Sequence, residues 1–338
     1  MEHSLDLTYH WAGFSALVVF VIAYAFVMAE EFTHLRKSKP VVLAAGLIWG
    51  MIAIAYSNTP HYEMVEHEIR HSFLEYTELA FFLLVAMTYI NALEERNVFN
   101  SLKSWLIKNQ FSYRQLFWIT GVLAFFLSPL ADNLTTALVL CAVVVAVGSS
   151  SPKFVGLACV NIVVAANAGG AFSPFGDITT LMVWQAGQLD FLQFFALVIP
   201  SVVNYIIPAS IMHFFVSDHK PDVAETSVTI KYGGKTIILL GLLTIVTAVS
   251  FHNFLHLPPV FGMMTGLAYL QLYSFYIKIS VKNIEEQKYD FFENVARVEW
   301  DTLLFFFGVI LSVGGLGFIG YLEYVSEFMY TDLGATTA

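Results

Sequence analysis

Four stretches of this chain contain no Asp, Glu, Lys or Arg: Trp11 to Ala29, Pro40 to Pro60, Thr236 to Ile277 and Thr302 to Leu322. About 20 consecutive apolar residues span the hydrocarbon of a bilayer as a helix. In lipid every backbone N–H and C=O must be bonded within the protein, so such runs have few structural options besides the helix. Only 12% of the 338 residues are charged, about half the share in a soluble domain, ~25%. A soluble enzyme, a disulfide scaffold and a nucleic-acid binder are thereby excluded. The net charge of −10 adds to the case against nucleic acid, whose phosphates need basic patches. Cys141 and Cys159 both lie in apolar runs and read as helix-packing residues. The opening Met-Glu-His-Ser-Leu-Asp has no basic segment, so the first apolar run reads as a retained span and not a cleaved signal.

Clear spans cover roughly residues 12–30, 41–57, 73–93, 191–216, 236–254, 259–277 and 301–322. Two stretches are irregular. Residues 115–148 hold two apolar pieces of about 13–15 residues, each too short to cross alone. They are broken at Ser128-Pro129-Leu130-Ala131-Asp132-Asn133. Residues 154–186 are broken around Asn167-Ala168-Gly169-Gly170 and Ser173-Pro174-Phe175-Gly176-Asp177. Cytoplasmic loops collect Lys and Arg. With the N-terminus outside, 115–148 as a re-entrant hairpin and 154–186 as one broken crossing, fifteen of the sixteen basic residues fall inside. They include Lys153, Lys220, Lys282 and Lys288; only Arg70 is outside, among Glu63, Glu66 and Glu68. The alternatives misplace seven or eight. The expected fold is therefore an all-α polytopic membrane protein with eight crossings and one hairpin. Residues 94–114 mix charge with Val98, Phe99, Leu102, Trp105, Leu106 and Ile107 and predict an amphipathic helix on the inner surface.

The first break carries the strongest chemistry. An ionisable group at membrane depth costs about 2.5–3.5 kcal/mol on insertion scales, which marks Asp132 as functional. Pro129 breaks the helix. A hairpin tip could then aim freed carbonyls, Asp132, Asn133 and the hydroxyls of Thr135 and Thr136 at one point. Hard cations favour such oxygen ligands. The competing reading is a loop in which Asp132 merely caps the second helix. The second break holds Asn161, Asn167, Asp177, Thr179 and Thr180 around its glycines; Asp177 could bind a cation, carry a proton or cap the next half-helix. Irregular backbone at this depth is tolerated only where it is buried in protein or lines a water cavity. Two broken segments converging on one site is a transporter pattern.

Glu75 and Glu78 share a helix face, with His71 two turns before Glu78. This is a candidate proton path or pH sensor, or else a hydrated outer rim. His67-Glu68-Ile69-Arg70-His71 fits the zinc-peptidase pattern. It lies in an expected loop of about 15 residues at the membrane edge without a second acidic motif, which argues against an intramembrane metalloprotease. Gly315-Leu-Gly317-Phe-Ile-Gly320 matches a dinucleotide motif but lies in an apolar span, where small residues serve helix packing. Glu78-Leu-Ala-Phe-Phe-Leu-Leu-Val and Asp301-Thr-Leu-Leu-Phe-Phe-Phe-Gly form a faint repeat whose copies would run in opposite directions. This is the inverted-repeat signature, with Asp301 as the candidate acid of the second copy.

Three stretches carry a resemblance to a known family: Glu30-Glu31-Phe32-Thr33-His34-Leu35-Arg36-Lys37-Ser38-Lys39-Pro40, Ser128 to Thr136 and Asn161 to Thr180. On these the chain resembles the NhaD-type sodium/proton antiporters of the ion transporter superfamily. The resemblance implies an inverted-repeat secondary transporter that exchanges Na⁺ or Li⁺ for H⁺ and needs no cofactor. It implies roles for Asp132, Asn133, Asn167, Asp177, Thr179 and Thr180, with the cation at Asp132, Asn133, Asn167 and Asp177, and for Glu78 and His71. The expected partners are the lipid bilayer, monovalent cations and protons, a homodimer being compatible; the expected location is the bacterial inner membrane. The expected organisation is 1–72 (first helices and an outer His/Glu-rich loop), 73–216 (first transport repeat), 217–235 (cytoplasmic connector) and 236–338 (start of a second repeat). Family members continue into a second hairpin and a second broken helix. This chain stops at Thr331–Ala338, so it reads as truncated. A cation-coupled carboxylate or oxyanion carrier of the same superfamily is the alternative, disfavoured because an anion would want positive half-helix ends without carboxylates.

Overall fold

The structure is a computed structural model that describes residues 6–57, 59–109, 111–148, 151–220, 228–280 and 289–332. Lys282, Lys288 and the last six residues of the chain lie outside the described residues. Helices account for nearly all of the described chain, and it contains no strand. In order they are α1 (Trp11–Met28), α2 (Glu30–Thr33), α3 (Ser38–Tyr56), α4 (Tyr62–Glu95), α5 (Val98–Lys108), α6 (Tyr113–Ala131), α7 (Asn133–Val147) and α8 (Pro152–Gly170). Then follow α9 (Ile178–Gln185), a 3-10 segment (Phe191–Leu197) leading into α10 (Val198–His213), α11 (Gly234–Leu255), α12 (Pro259–Ser280), α13 (Phe291–Ala296), α14 (Trp300–Ile319) and α15 (Tyr321–Glu327). Among the described residues nine helices are long and apolar enough to cross a bilayer. The protein is a polytopic all-α membrane protein.

The chain divides into two compact units, residues 1–80 with 299–338, and residues 81–298. In the first, α3 and α14 pack side by side. Gly308 admits the Val41 backbone, and Gly315 admits Ile48. Trp49 Nε1 donates to the Leu311 carbonyl at 2.8 Å, and the Ser38 hydroxyl donates to Asp301 Oδ1. Residue numbers rise together along both helices, so they run parallel, as the basic-residue topology requires. In the second unit α6 and α7 fold back on each other against α8. Tyr113 and Gly148, at the base of this hairpin, both meet Phe154 near the start of α8. Its tip lies at the far end of α8, where Ser128 and Asn133 bond to Ala166 and Asn167. The core between them is Phe117, Ala124, Leu140, Val144, Ile162 and Ala165, all buried. α5 seals the base by burying Leu106 and Ile107 while Trp105 stays exposed.

Two expectations are corrected. The outer His/Glu-rich loop is helical: α4 begins at Tyr62 and runs 34 residues, about 51 Å at 1.5 Å per residue. No Gly or Pro interrupts it, and Glu66 pairs with Arg70 one turn on at 2.7 Å, a spacing that supports helix. The first hairpin arm is also longer than 13–15 residues. A capping box between Ser112 and Gln115 starts α6 at Tyr113, and the helix continues through Pro129 to Ala131, 19 residues in all. Proline costs most in a helix interior. Here it stands three residues from the end, where only the bond to the Phe125 carbonyl is forfeited.

Candidate functional site

The two breaks are built alike. α6 stops at Ala131, and Asp132 takes φ 55°, ψ 159°, a region used almost only by glycine and costing about 1–3 kcal/mol for other residues. Its carboxylate turns onto α7: Oδ1 accepts from the Thr135 N–H and Oδ2 from the Thr135 hydroxyl, both at 2.8 Å. At the second break α8 stops at Gly170, and α9 starts after Asp177. There Asp177 Oδ1 accepts from the Thr179 N–H at 2.8 Å and from its hydroxyl at 2.7 Å. Each carboxylate therefore sits at a helix N-terminus, where unpaired N–H groups favour negative charge. The capping role weighed on the sequence is therefore observed for both carboxylates.

Asn133 joins the breaks. Its Nδ2 donates to Asn167 Oδ1 at 3.0 Å and to Asp177 Oδ2 at 2.6 Å. Asn167 is oriented for this because its own Nδ2 donates to the Val163 carbonyl at 2.9 Å. The Thr180 hydroxyl bonds to the Ser173 and Asp177 carbonyls at 2.9 and 2.8 Å. Thr136 Oγ1 is buried without a hydrogen-bond partner among the described residues. The structure thus gathers Asn133, Asn167, Asp177 and Thr179 in one connected cluster, and Asp132 with Thr135 stands one residue away on the chain. Asp132, Asn133 and Asp177 are half-buried; Asn167 and Thr179 are exposed. Side-chain oxygens of Asp177 and Asn167 converge on the Asn133 amide nitrogen, and carboxylate and amide oxygens of this kind suit a hard cation.

The remaining candidates belong to the first unit. His71 Nδ1 lies 3.7 Å from Glu75 Oε1 on α4, both exposed. Glu78 is half-buried one turn further on. Asp301 accepts from Ser38.

Sequence reasoning missed how tightly the breaks are tied together. The Ser128 hydroxyl donates to the Ala166 carbonyl at 2.7 Å, and the Ser173 hydroxyl donates to the Pro129 carbonyl at 3.0 Å. A Cβ placed on Gly169 would come 2.1 Å from the Phe125 oxygen, the carbonyl that Pro129 leaves without its helical donor. Gly170 and Gly176 likewise touch through their backbones. The signal was present in the chain: Ser128-Pro129-Leu130-Ala131-Asp132 and Ser173-Pro174-Phe175-Gly176-Asp177 share the spacing Ser-Pro-x-x-Asp, and a Thr pair follows each.

The sequence profile of the family described as citrate transporters (CitMHS) matches residues 11–338. A Na(+)/H(+) antiporter NhaD from Vibrio cholerae is 52% identical over 97% of this chain and 73% of its own length. One from Alkalimonas amylolytica is 50% identical over 99% of this chain and 74% of its own. Sodium/proton antiporter 1 of Arabidopsis thaliana is 31% identical over 94% and 54%.

Proposed function

This chain belongs to the NhaD-type sodium/proton antiporters within the family described as citrate transporters, and from that premise we propose how its two helix breaks exchange Na⁺ or Li⁺ for H⁺. The protein is a multi-pass component of the cell membrane and a transporter, not an enzyme. The observation that carries the site reading is the Asn133 amide, which links Asp177 to Asn167 across two interrupted helices. It gathers carboxylate and amide oxygens from separate segments at one place.

Asp132 and Asp177 supply the charge. Each carboxylate holds either a proton or a share of a cation. Arrival of Na⁺ therefore displaces protons, and protonation releases Na⁺. Asn133, Asn167 and the hydroxyls of Thr135, Thr136, Thr179 and Thr180 supply neutral oxygens and hold the carboxylates in place. Occupied and protonated forms favour exposure to opposite sides by differential affinity, which is all a ligand can use to shift a two-state equilibrium. Glu78 and His71 belong to this reading as a proton entry on α4, and Asp301 as the acid of the second repeat.

Everted membrane vesicles carrying the protein and a pH-sensitive dye test the proposal. Addition of Na⁺ or Li⁺ should dequench the dye between about pH 7 and 9.5, the range around the ordinary titration of His and alkaline to it. No response to either ion across that range would sink the reading. The family description favours one competitor, carriage of a carboxylate such as citrate. Two carboxylates at the breaks repel such a cargo. Isotope-labelled citrate uptake, with and without Na⁺, separates the two.

A further inference from the structure

We propose that Ser128 and Ser173 are a pair of positioning residues that set the spacing between Asp132 and Asp177. The proposal rests on the cation-site reading given above and names two residues that it does not use as ligands.

Each serine opens a Ser-Pro-x-x-Asp segment; the Ser173 hydroxyl reaches across to the first segment, and the Ser128 hydroxyl reaches the end of α8, just before the second. Ser128, on the hairpin arm, is fully buried and donates to the Ala166 carbonyl, one residue before Asn167. Ser173, in the break after α8, is buried and donates to the Pro129 carbonyl, three residues before Asp132. Ser173 is further tied on both sides. Its Oγ accepts from the Phe175 N–H at 3.2 Å, and its carbonyl accepts from the Thr180 hydroxyl at 2.9 Å. One residue thereby connects the hairpin tip, the unwound segment and the first turn of α9.

The following prolines explain why serine stands here. Pro129 denies the Phe125 carbonyl a helical donor, and the last four carbonyls of any helix lack one. The Pro129 carbonyl is among those last four of α6. The Ser173 hydroxyl supplies it with a donor from outside the helix. Burying such a carbonyl unpaired is costly, so the bond is held wherever the two segments are in register. The strained backbone at Asp132 needs such support, because a residue in that region persists only when its surroundings over-determine it. The Gly170–Gly176 and Gly169–Phe125 approaches leave no slack between the segments. The serines thus fix the register in which the two carboxylates face a shared cation, without touching that cation.

The test uses the full protein in everted vesicles, with Ser128→Ala, Ser173→Ala and the hydroxyl-keeping Ser128→Thr and Ser173→Thr. Ser57→Ala, on an exposed residue of the first unit, is the control. Each alanine variant should raise the apparent KM for Na⁺ roughly threefold to tenfold, the range one buried hydrogen bond carries, with Vmax per transporter within about twofold. Threonine should restore KM. The double alanine variant should fall short of the product of the two single effects, since both bonds hold one register. An unchanged KM overturns the proposal, as does equal loss of KM and Vmax in the alanine and threonine variants, which would mean packing alone.

A second readout does not depend on transport. Spin labels at Leu130→Cys and Met182→Cys, both exposed positions, in a Cys141→Ala/Cys159→Ala background report the spacing of the hairpin tip and α9. The distance distribution should broaden in Ser173→Ala and narrow again in Ser173→Thr. An unbroadened distribution refutes the positioning role. Broadening in a protein that exchanges no Na⁺ would leave the positioning role standing and overturn the antiport reading instead.

Discussion

Replacing Asp132 by Asn separates the two jobs of that side chain. As a cap, Asp132 gives Oδ1 to the Thr135 N–H and Oδ2 to the Thr135 hydroxyl, each at 2.8 Å. Asn caps helices as well as Asp does. Its oxygen keeps the first bond, and its amide can donate to the hydroxyl, which turns to accept. Asn meets the same backbone strain at this position as Asp does, so the substitution adds none. The folded protein should therefore lose less than ~1 kcal/mol, a melting shift of about 2–4 °C or less. The charge has no substitute. A carboxylate and a monovalent cation about 4 Å apart attract by ~4 kcal/mol at an effective dielectric of ~20. At ~1.4 kcal/mol per decade that is nearly a thousandfold in affinity, and the proton carrier is lost as well. Exchange in everted vesicles should drop below about one hundredth of wild type at every pH, while thermal unfolding in detergent stays near wild type. Asp132→Ala should lose both, adding ~1 kcal/mol for the missing cap. Wild-type exchange in Asp132→Asn, at equal transporter content, would refute the placement of the cation here and leave Asp132 a cap only.

Four further outcomes follow from contacts away from Asp132 and Asp177. Gly169→Ala drives a methyl to 2.1 Å from the Phe125 carbonyl and should destabilise by ~1–3 kcal/mol; Gly46→Ala, with nothing within 4 Å, should not, and paired melting curves decide. Arg96 is fully buried on the Tyr289 ring and pairs with Glu95 at 2.6 Å, so Arg96→Met takes the cation from a mostly buried carboxylate, leaving it the Asn294 amide, and should cost ~3 kcal/mol. By contrast Tyr289→Phe, which removes a buried hydroxyl lacking a partner among the described residues, should be neutral or stabilising in the same melts. Hydrogen bonds from the Thr8 hydroxyl and then its N–H hold the Asp6 carboxyl below its ordinary value. A lowered value means that its contribution is present above the unfolded-state value and fades as pH falls through the folded one. Titration of labelled Asp6 by NMR should show this lowering, and Thr8→Val should reverse most of it.

Hydropathy located the crossings because lipid leaves the backbone no alternative to helix, and Trp11–Met28, Gly234–Leu255 and Trp300–Ile319 lie within a few residues of their expected bounds. Proline, glycine and acids within apolar runs marked both breaks for the same reason: each is expensive in a spanning helix. The first turns of α4 were invisible to that logic. A polar run such as Glu63 to Arg70 reads as a loop when hydropathy alone is scored, and its i,i+4 pairing becomes evident only once helix is assumed. The Asn133 bridge and the crossed serine bonds are longer-range. Residues 44 positions apart, Asn133 and Asp177 in one case and Pro129 and Ser173 in the other, meet only because α6 and α7 double back along α8. The strained backbone of Asp132 had no local cue, since the usual signal for that conformation is glycine.

The dependence of the hairpin tip on α8 and the segment after it bears on how the protein is made. Ribosomes deliver the chain from its N-terminus, so Ala131 emerges about 45 residues before Gly176, roughly 2–9 s earlier at ~5–20 residues/s. During that interval the Pro129 carbonyl and the Ser128 hydroxyl have yet to meet the partners that α8 and its break will bring. Such groups are poorly tolerated in hydrocarbon. The newborn hairpin is therefore better held at the wet boundary of the insertion machinery than released into lipid, and it completes its insertion when α8 arrives. Membrane integration of this region then proceeds as a three-helix event instead of helix by helix.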